Sequence, residues 1–434
     1  MVVDCLRSMQ VVEWVLSEAD RARDEVAELC SGLVKLNSAH PEGRTDECVA
    51  FIKEYMDSHG IYNEVRSRNP LKPNIFARVE GSSGRKILWV GHLDVVPEGR
   101  AEFWRYPPYS GRITEDGLVY GRGSSDMKGA CAAAMVSARI LSGLKGELPN
   151  TVEFWFTADE EIGGGDGARW LSETGQFKGD VCIIGDGTGG GYELPSIDIG
   201  CKGGARTKLI ARGKTAHGST PFLGENAIKR LIEAIPWVER IGEYRLELPA
   251  ELEEPIKNSI EFLLKTERLS EEQRLAATKA FHHPTVSCNL ISGGVKINVV
   301  PDYAEAEFDV RLTPGSDALK VRDRIRELVA EAGVPGVEVE VNVPETVGYY
   351  ESPSSSFALQ LSETIERVVG KRPLFKILTG GTDAISIKRF TGIPCLGYGT
   401  SLTGKAHQPD EYVTIENLVL GIKVYSAFPL IYRG

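Results

Sequence analysis

Histidine and carboxylate residues recur at the C-terminal ends of short apolar runs in this chain. His92 and Asp94 follow KILWVG, the Asp159-Glu160-Glu161 run follows VEFWFT, and Asp186 follows VCII. Asp126 stands in a glycine-rich turn, GRGSSDMKGA, and His407 in a late polar loop. Imidazole nitrogen with carboxylate oxygen is the donor mixture that a borderline cation such as Zn²⁺ takes, and a hydrolytic centre keeps one position open for water. Two such ions, roughly 3.5–4 Å apart, need one carboxylate that reaches both. Asp126 suits that bridge because its short side chain sits in a turn before a small-residue helix. His92 and Glu161 then complete one ion, and Asp186 and His407 the other. Asp94, two residues past His92, is placed to orient the imidazole rather than to bind metal. Glu160 is left over. Neighbours in extended chain face opposite ways, so with Glu161 on a metal Glu160 faces the water between the ions and can take its proton.

The motifs GHLDVVP, GRGSSDMKGA, ADEE, AHGSTP, INVVPD and GKAHQPDEYV resemble those of the co-catalytic zinc metallohydrolases, and they come in the same order. That family includes acetylornithine deacetylase, succinyl-diaminopimelate desuccinylase, aminoacylase and the glutamate carboxypeptidases. The resemblance runs from about His92 to His407. It implies a catalytic domain interrupted by a dimerisation domain and two divalent ions, zinc first, with cobalt or manganese as alternatives. The implied reaction is hydrolysis of an amide next to a free carboxylate, in an N-acyl amino acid or short peptide. The same resemblance implies a cis peptide bond after Asp126. It also implies that His217 reaches the partner subunit's site of a homodimer and helps hold the oxyanion. Asn298 falls where the family has an Asn. Arg311 falls where it has an Arg that clamps the substrate carboxylate, a task suited to bidentate guanidinium. Gly381 and Thr382, in the turn after Gly380, offer backbone N–H groups to the same anion.

Asp186 departs from the pattern. Deacylases of the family usually carry Glu there, and Asp is more typical of the dipeptidase and aminopeptidase branches. A dipeptidase or carboxypeptidase therefore stands beside the deacylase reading. A non-catalytic binding module is expected to have lost a ligand or the general base, and here all are present.

Each apolar run reads as a buried strand ending in a loop. In open α/β sheets ligands gather outside the carboxyl ends of strands, so three strands deliver acid or imidazole to one rim. Residues 130–141, Ala-rich and free of Gly and Pro, read as a helix packed closely on that sheet. Residues 11–60 read as two helices around the Asn-Ser-Ala-His-Pro turn at 37–41, and a short strand falls at 74–79. From Ala205 the pattern changes to strand, helix, strand, strand, helix, strand, a ferredoxin-like unit. A charged helical insertion at 251–280 interrupts it, with Leu263, Leu264 and Leu269 expected on its buried side. The fold class is thus α/β. A zinc-exopeptidase-like catalytic domain with a mixed sheet flanked by helices occupies 1–203 and 346–434. It is interrupted by a ferredoxin-like α+β dimerisation or lid domain at 204–345, whose insertion spans about 241–284.

Composition fits this reading. A chain of 434 residues, 42% hydrophobic, has enough apolar surface for two cores. The net charge of -11 disfavours nucleic acid and anionic membranes as partners. The N-terminal segment mixes Asp4, Arg7 and Glu13 with its apolar residues and so lacks the uninterrupted core of a signal peptide. No stretch reaches the ~20 apolar residues of a membrane span, and a cytoplasmic location is expected. The eight cysteines show no paired metal-site spacing and read as reduced, mostly buried thiols. Gly163-Gly164-Gly165 lacks the Lys and Ser/Thr of a phosphate cradle and reads as a turn.

Overall fold

The computed structural model describes residues 2–144, 146–189, 191–343 and 348–434, with side chains from residue 10 onward. Its larger sheet has nine strands. In spatial order they are Tyr62–Arg66, Asn74–Val79, Thr151–Thr157, Lys86–His92, Val181–Ile184, Cys395–Gly397, Ser196–Cys201 and Tyr349–Tyr350, with Leu374–Leu378 also paired to Ser196–Cys201. The four strands from Thr151–Thr157 to Cys395–Gly397 run parallel.

Parallel neighbours need cover on both faces, and the side chains alternate to match. Ile87 and Trp89 enter the core beneath the N- and C-terminal helices, whereas Leu88 and Val90 enter the opposite core with Trp155, Leu171 and Ile387. The shared direction has a functional consequence. His92, the Glu160-Glu161 pair and Asp186 leave three adjacent strands at one rim of the sheet.

The Ala-rich helix Gly129–Ser142 lies between this sheet and the C-terminal helix Ile415–Ile431. At the N-terminal end there are three helices where two are expected: Val2–Arg21, Arg23–Lys35 and Asp46–Ser58. The extra break falls at Ala22, which neither caps nor breaks a helix by type, so residue identity gives no signal for it. Cys30, Cys48, Cys131, Cys182, Cys201, Cys288 and Cys395 are free thiols, all buried except Cys288. Among the described residues no helix is long and apolar enough to cross a membrane.

Gly203–Arg212, Thr285–Gly293, Tyr303–Leu312 and Val337–Asn342 form a separate antiparallel sheet. Helices Ala227–Glu239 and Ala318–Ala332 cover one face of it, begun by Asn226 and Asp317 side chains that accept the first free N–H groups. This is the ferredoxin-like unit. The boundary expected between 345 and 346 lies outside the described residues, and by Tyr349–Tyr350 the chain is back in the large sheet.

The insertion corrects the expectation about its buried side. Its helix Glu253–Thr266 docks on Leu374–Leu378 of the large sheet. Pro255, Ile256, Ser259 and Phe262 form the buried side, whereas Leu263, Leu264 and Leu269 are only half-buried. Ser259 Oγ accepts the Ile377 N–H (2.8 Å) and Asn258 Nδ2 donates to the Phe375 carbonyl (3.1 Å). The helix therefore satisfies backbone groups that a strand with one neighbour leaves open.

Candidate metal centre

Three strand ends and one late loop converge at the rim. Asp126 turns one carboxylate oxygen toward each of two imidazoles: Oδ1 lies 3.2 Å from His92 Nε2, and Oδ2 lies 3.2 Å from His407 Nε2. Glu161 Oε1 is 3.2 Å from His407 Nε2. Ligand atoms of His92, Asp126 and Glu161 all lie within 4.8 Å of one another, a spacing that could hold a metal ion. Glu161 thus stands within reach of both imidazoles, grouped with His92 by that spacing and against His407 on the Oδ2 side of Asp126. Asp186 comes out beside His92, since Val90 pairs in register with Ile184 and the two residues each lie two further on.

Local backbone sets these directions. The Asp126–Met127 peptide bond is cis. Gly91 and Gly185 precede His92 and Asp186, and a Cβ on either would run into the Trp89 ring, at 2.6 and 2.3 Å. The two glycines thus let Trp89 and Met127 pack directly beneath the cluster. Glu160–Ile162 is a 3-10 turn rather than extended chain. It follows Asp159 in the left-handed region, φ 68°, whose carboxylate accepts Lys72 Nζ (2.6 Å) and the Asp166 N–H (3.2 Å). At three residues per turn, successive side chains diverge by about 120°, so Glu160 and Glu161 still point apart.

Asp94 works differently from expectation. Its main-chain carbonyl, at 2.9 Å, meets His92 Nδ1, while its carboxylate is 3.8 Å off. A proton held on Nδ1 by that carbonyl leaves Nε2 free as a ligand. The carboxylate instead accepts the N–H groups of Glu160 and Glu161, both at 3.1 Å, and faces His40 Nε2 at 2.9 Å. Asp94 therefore fixes the turn that carries the two glutamates.

The electrostatics call for a cation. Asp126 Oδ1 is buried and has no hydrogen-bond donor among the described residues. Withdrawal from water and the Asp126 carboxylate push the Asp186 carboxyl up to about 8. Withdrawal from water, then Asp383, Asp186 and Glu161, push Glu160 well above the usual carboxylate range against the pull of His92. Asp126 and Glu161 hold the His407 imidazolium up to about 10. Crowded carboxyls that keep protons near neutral pH for want of positive charge are what divalent ions would ionise. The imidazole and carboxylate donors suit such ions.

The lid residues are not brought to this cluster within one chain. His217 is exposed, with Nδ1 2.7 Å from Ser219 Oγ in its own turn. Asn298 is exposed and its carbonyl accepts the Gly218 N–H at 2.8 Å. Arg311 Nε donates to Asp309 at 2.8 Å. Gly381 and Thr382 stand at the rim itself: Asp383, next in the chain, accepts the Thr157 hydroxyl at 2.9 Å, and Thr157 ends the strand that leads to Glu160.

Four buried polar residues of the centre escape the sequence reading: His40, Asp383, Arg122 and Glu411. Two of them lay inside quoted motifs, Arg122 in GRGSSDMKGA and Glu411 four residues past His407 in GKAHQPDEYV.

The sequence pattern of peptidase family M20/M25/M40 matches residues 88–430. This chain belongs to that family. It is a metal-dependent amidohydrolase, an enzyme that acts on amide bonds. Over 412 residues it is 29% identical to a probable succinyl-diaminopimelate desuccinylase of Staphylococcus aureus (strain Mu50), covering 93% of this chain and 98% of that protein. The solved M20 family metallo-carboxypeptidase Sso-CP2 from Sulfolobus solfataricus matches with a TM-score of 0.75 at 24% identity, over 94% of this chain and 99% of that one. The di-peptidase Dug1p from Saccharomyces cerevisiae matches with a TM-score of 0.71 at 17% identity, over 97% and 98%. At these identities the structural matches speak for the fold.

Proposed function

We propose that this M20-family hydrolase binds two divalent ions, zinc by preference, that Asp126 would help to hold, and cleaves the amide of an N-acyl amino acid. His92 and Asp186 would hold one ion, Glu161 and His407 the other. The carrying observation is the Asp126 carboxylate set between two imidazoles, with Oδ1 buried and lacking a donor. Divalent ions, when bound, polarise the scissile carbonyl and make a water acidic enough to ionise near a pH of about 7. Glu160 takes the proton of that water and returns it to the leaving amine. Asp94 keeps Glu160 aimed by holding its N–H. Gly381 and Thr382 would bind the substrate's free carboxylate with backbone N–H groups, and Arg311 and Asn298 would join them only when a lid, of this or a second copy, closes over the cluster.

We infer that the working enzyme is a homodimer. His217 makes no contact with the cluster of its own chain, and close to it the lid exposes a run of apolar residues. Val295 is 93% exposed, and Leu290, Ile291 and Ile297 are exposed as well. Leu290 and Ile291 belong to Thr285–Gly293, an edge strand with one neighbour, the kind of element that pairs across a two-fold axis. His217 of a second copy would then donate to the oxyanion that forms during attack. Reduced, buried cysteines support a cytoplasmic location, which subcellular fractionation tests.

The relative named as a desuccinylase supports an acyl substrate, whereas Asp186 favours a second reading as a dipeptidase or carboxypeptidase. A panel of N-acetyl and N-succinyl amino acids and dipeptides, run with zinc, cobalt and manganese, separates the two. Preferred turnover of the acylated amino acids is expected. Preferred turnover of dipeptides would move the assignment to the second reading, and no turnover with any metal would contradict both.

A further inference from the structure

The loop that carries Asp126 is held by a buried carboxylate from the far end of the chain. Glu411 Oε1 accepts three backbone N–H groups of that loop, from Gly123 (3.0 Å), Ser125 (2.9 Å) and Asp126 itself (3.0 Å). Its other oxygen, Oε2, accepts Arg122 Nη1. Side-chain exposure is 2% for Arg122 and 0% for Glu411. Charge-assisted hydrogen bonds of this kind are roughly twice as strong as neutral ones. Three donors converging on one oxygen make a backbone nest around an anion supplied by the protein itself.

The same residue ties in the His407 loop. The Glu411 carbonyl accepts the Gly121 N–H at 2.9 Å, and the next residue, Tyr412, pairs with Tyr120 in a small three-stranded sheet. Arg122 Nη1 also reaches the Gln408 carbonyl, and Nη2 the Pro97 carbonyl, both at 3.4 Å. Ser401 Oγ donates to the Ser125 carbonyl, and the Leu402 N–H donates to Ser125 Oγ at 3.0 Å. The loops that deliver His407 and Asp126 are thus locked together through backbone and buried side-chain bonds.

We propose that Glu411, braced by Arg122, is the positioning residue of the metal centre, fixing the Asp126 carboxylate in register with His407 so that one oxygen stays turned toward each imidazole. Its position four residues past His407 lets one segment supply both a ligand and the clamp on the bridging ligand. This rests on the reading of Asp126 as the bridge. An isolated loop would have to order itself around the ions, at a cost in affinity that a clamp removes in advance. Partners that orient ligands in this way are typically worth 10–100-fold in metal affinity.

The test compares wild type, E411Q and the double variant R122M/E411Q, each stripped of metal and titrated with zinc by calorimetry. Cobalt-substituted absorption spectra and thermal melting are recorded in parallel. E411Q should bind zinc roughly 10–100-fold more weakly, with an altered cobalt spectrum. R122M/E411Q, which removes both buried charges together, should melt higher than E411Q yet stay weak in zinc binding. Wild-type affinity in E411Q would overturn the proposal. Affinity that recovers together with melting temperature in the double variant would also overturn it, by making Glu411 a structural residue. If E411Q does not fold, the double variant carries the comparison. A wild-type protein that binds no divalent ion would refute the metal reading itself and the clamp with it.

Discussion

His407 Nε2 stands 3.2 Å from Asp126 Oδ2, although the two residues come from loops that lie before and after the smaller antiparallel sheet in the chain. Asp126 also faces His92, so the two side chains are not equivalent. Asp126→Ala should lose both ions, and His407→Ala should lose one and retain the other. Metal content per chain after dialysis, measured by plasma mass spectrometry, checks this. Equal losses in the two variants would contradict the bridging role.

Glu160 touches neither imidazole in a hydrogen bond, yet it shares the rim with both. Glu160→Gln should keep full metal content and near-normal KM while kcat falls at least ~10²-fold, the lower end of general-base contributions. Steady-state kinetics beside metal analysis give the answer.

The pH dependence of the metal-free protein follows from two shifts. The folded Asp186 carboxyl titrates at about 8, above its unfolded value, so the folded state holds a proton that the unfolded state loses from about pH 4 upward. The folded His407 imidazolium persists to about 10, so its stabilising contribution is present below the unfolded value of about 6.5 and fades above it. Both terms make stability fall as pH rises from about 4 to about 10. Melting temperature of the stripped protein should therefore decline across that window, and zinc binding should release protons. Calorimetry in buffers of different ionisation enthalpy measures the release, and its absence would count against these groups as ligands.

Behind Asp186, Asp198 and Lys376 form an ion pair with both side chains 5% exposed, and Asp198 Oδ2 has no hydrogen-bond partner. Removing one member leaves the other charge buried, at a cost of about 3–5 kcal/mol. Lys376→Met should lower the denaturant midpoint accordingly. Lys376→Met combined with Asp198→Asn should recover part of the loss.

The strands and the residues that gather at the rim were legible because both are local patterns. KILWVG, VEFWFT and VCII are short apolar runs ending in polar loops, and parallel pairing brings their ends to one rim. What sequence could not supply was long-range geometry. The Glu160-Glu161 pair diverges through a 3-10 turn that follows Asp159 and is fixed by Asp94, not through extended chain. Asp94 reaches His92 with its carbonyl because its carboxylate is engaged by the glutamate turn and His40. Leu263, Leu264 and Leu269 suggested a buried stripe, but the strand Leu374–Leu378 that the insertion covers is distant in sequence, and it meets Asn258, Ser259 and Phe262. Arg122 and Glu411 were visible as motif letters, and only the fold gives them a role.

Substituting Val295 and Ile297 by Asp should separate the proposed dimer. Sedimentation is expected to give a folded monomer, with turnover falling because His217 no longer crosses to the other chain. A fully active monomer would rule out the shared site.

Two cations that share the Asp126 carboxylate would be visible in crystals. Anomalous diffraction from zinc-loaded crystals tests for them most directly. Two peaks roughly 3.5–4 Å apart, one on each oxygen of Asp126, are predicted. A single peak, or zinc bound away from Asp126, would contradict the account.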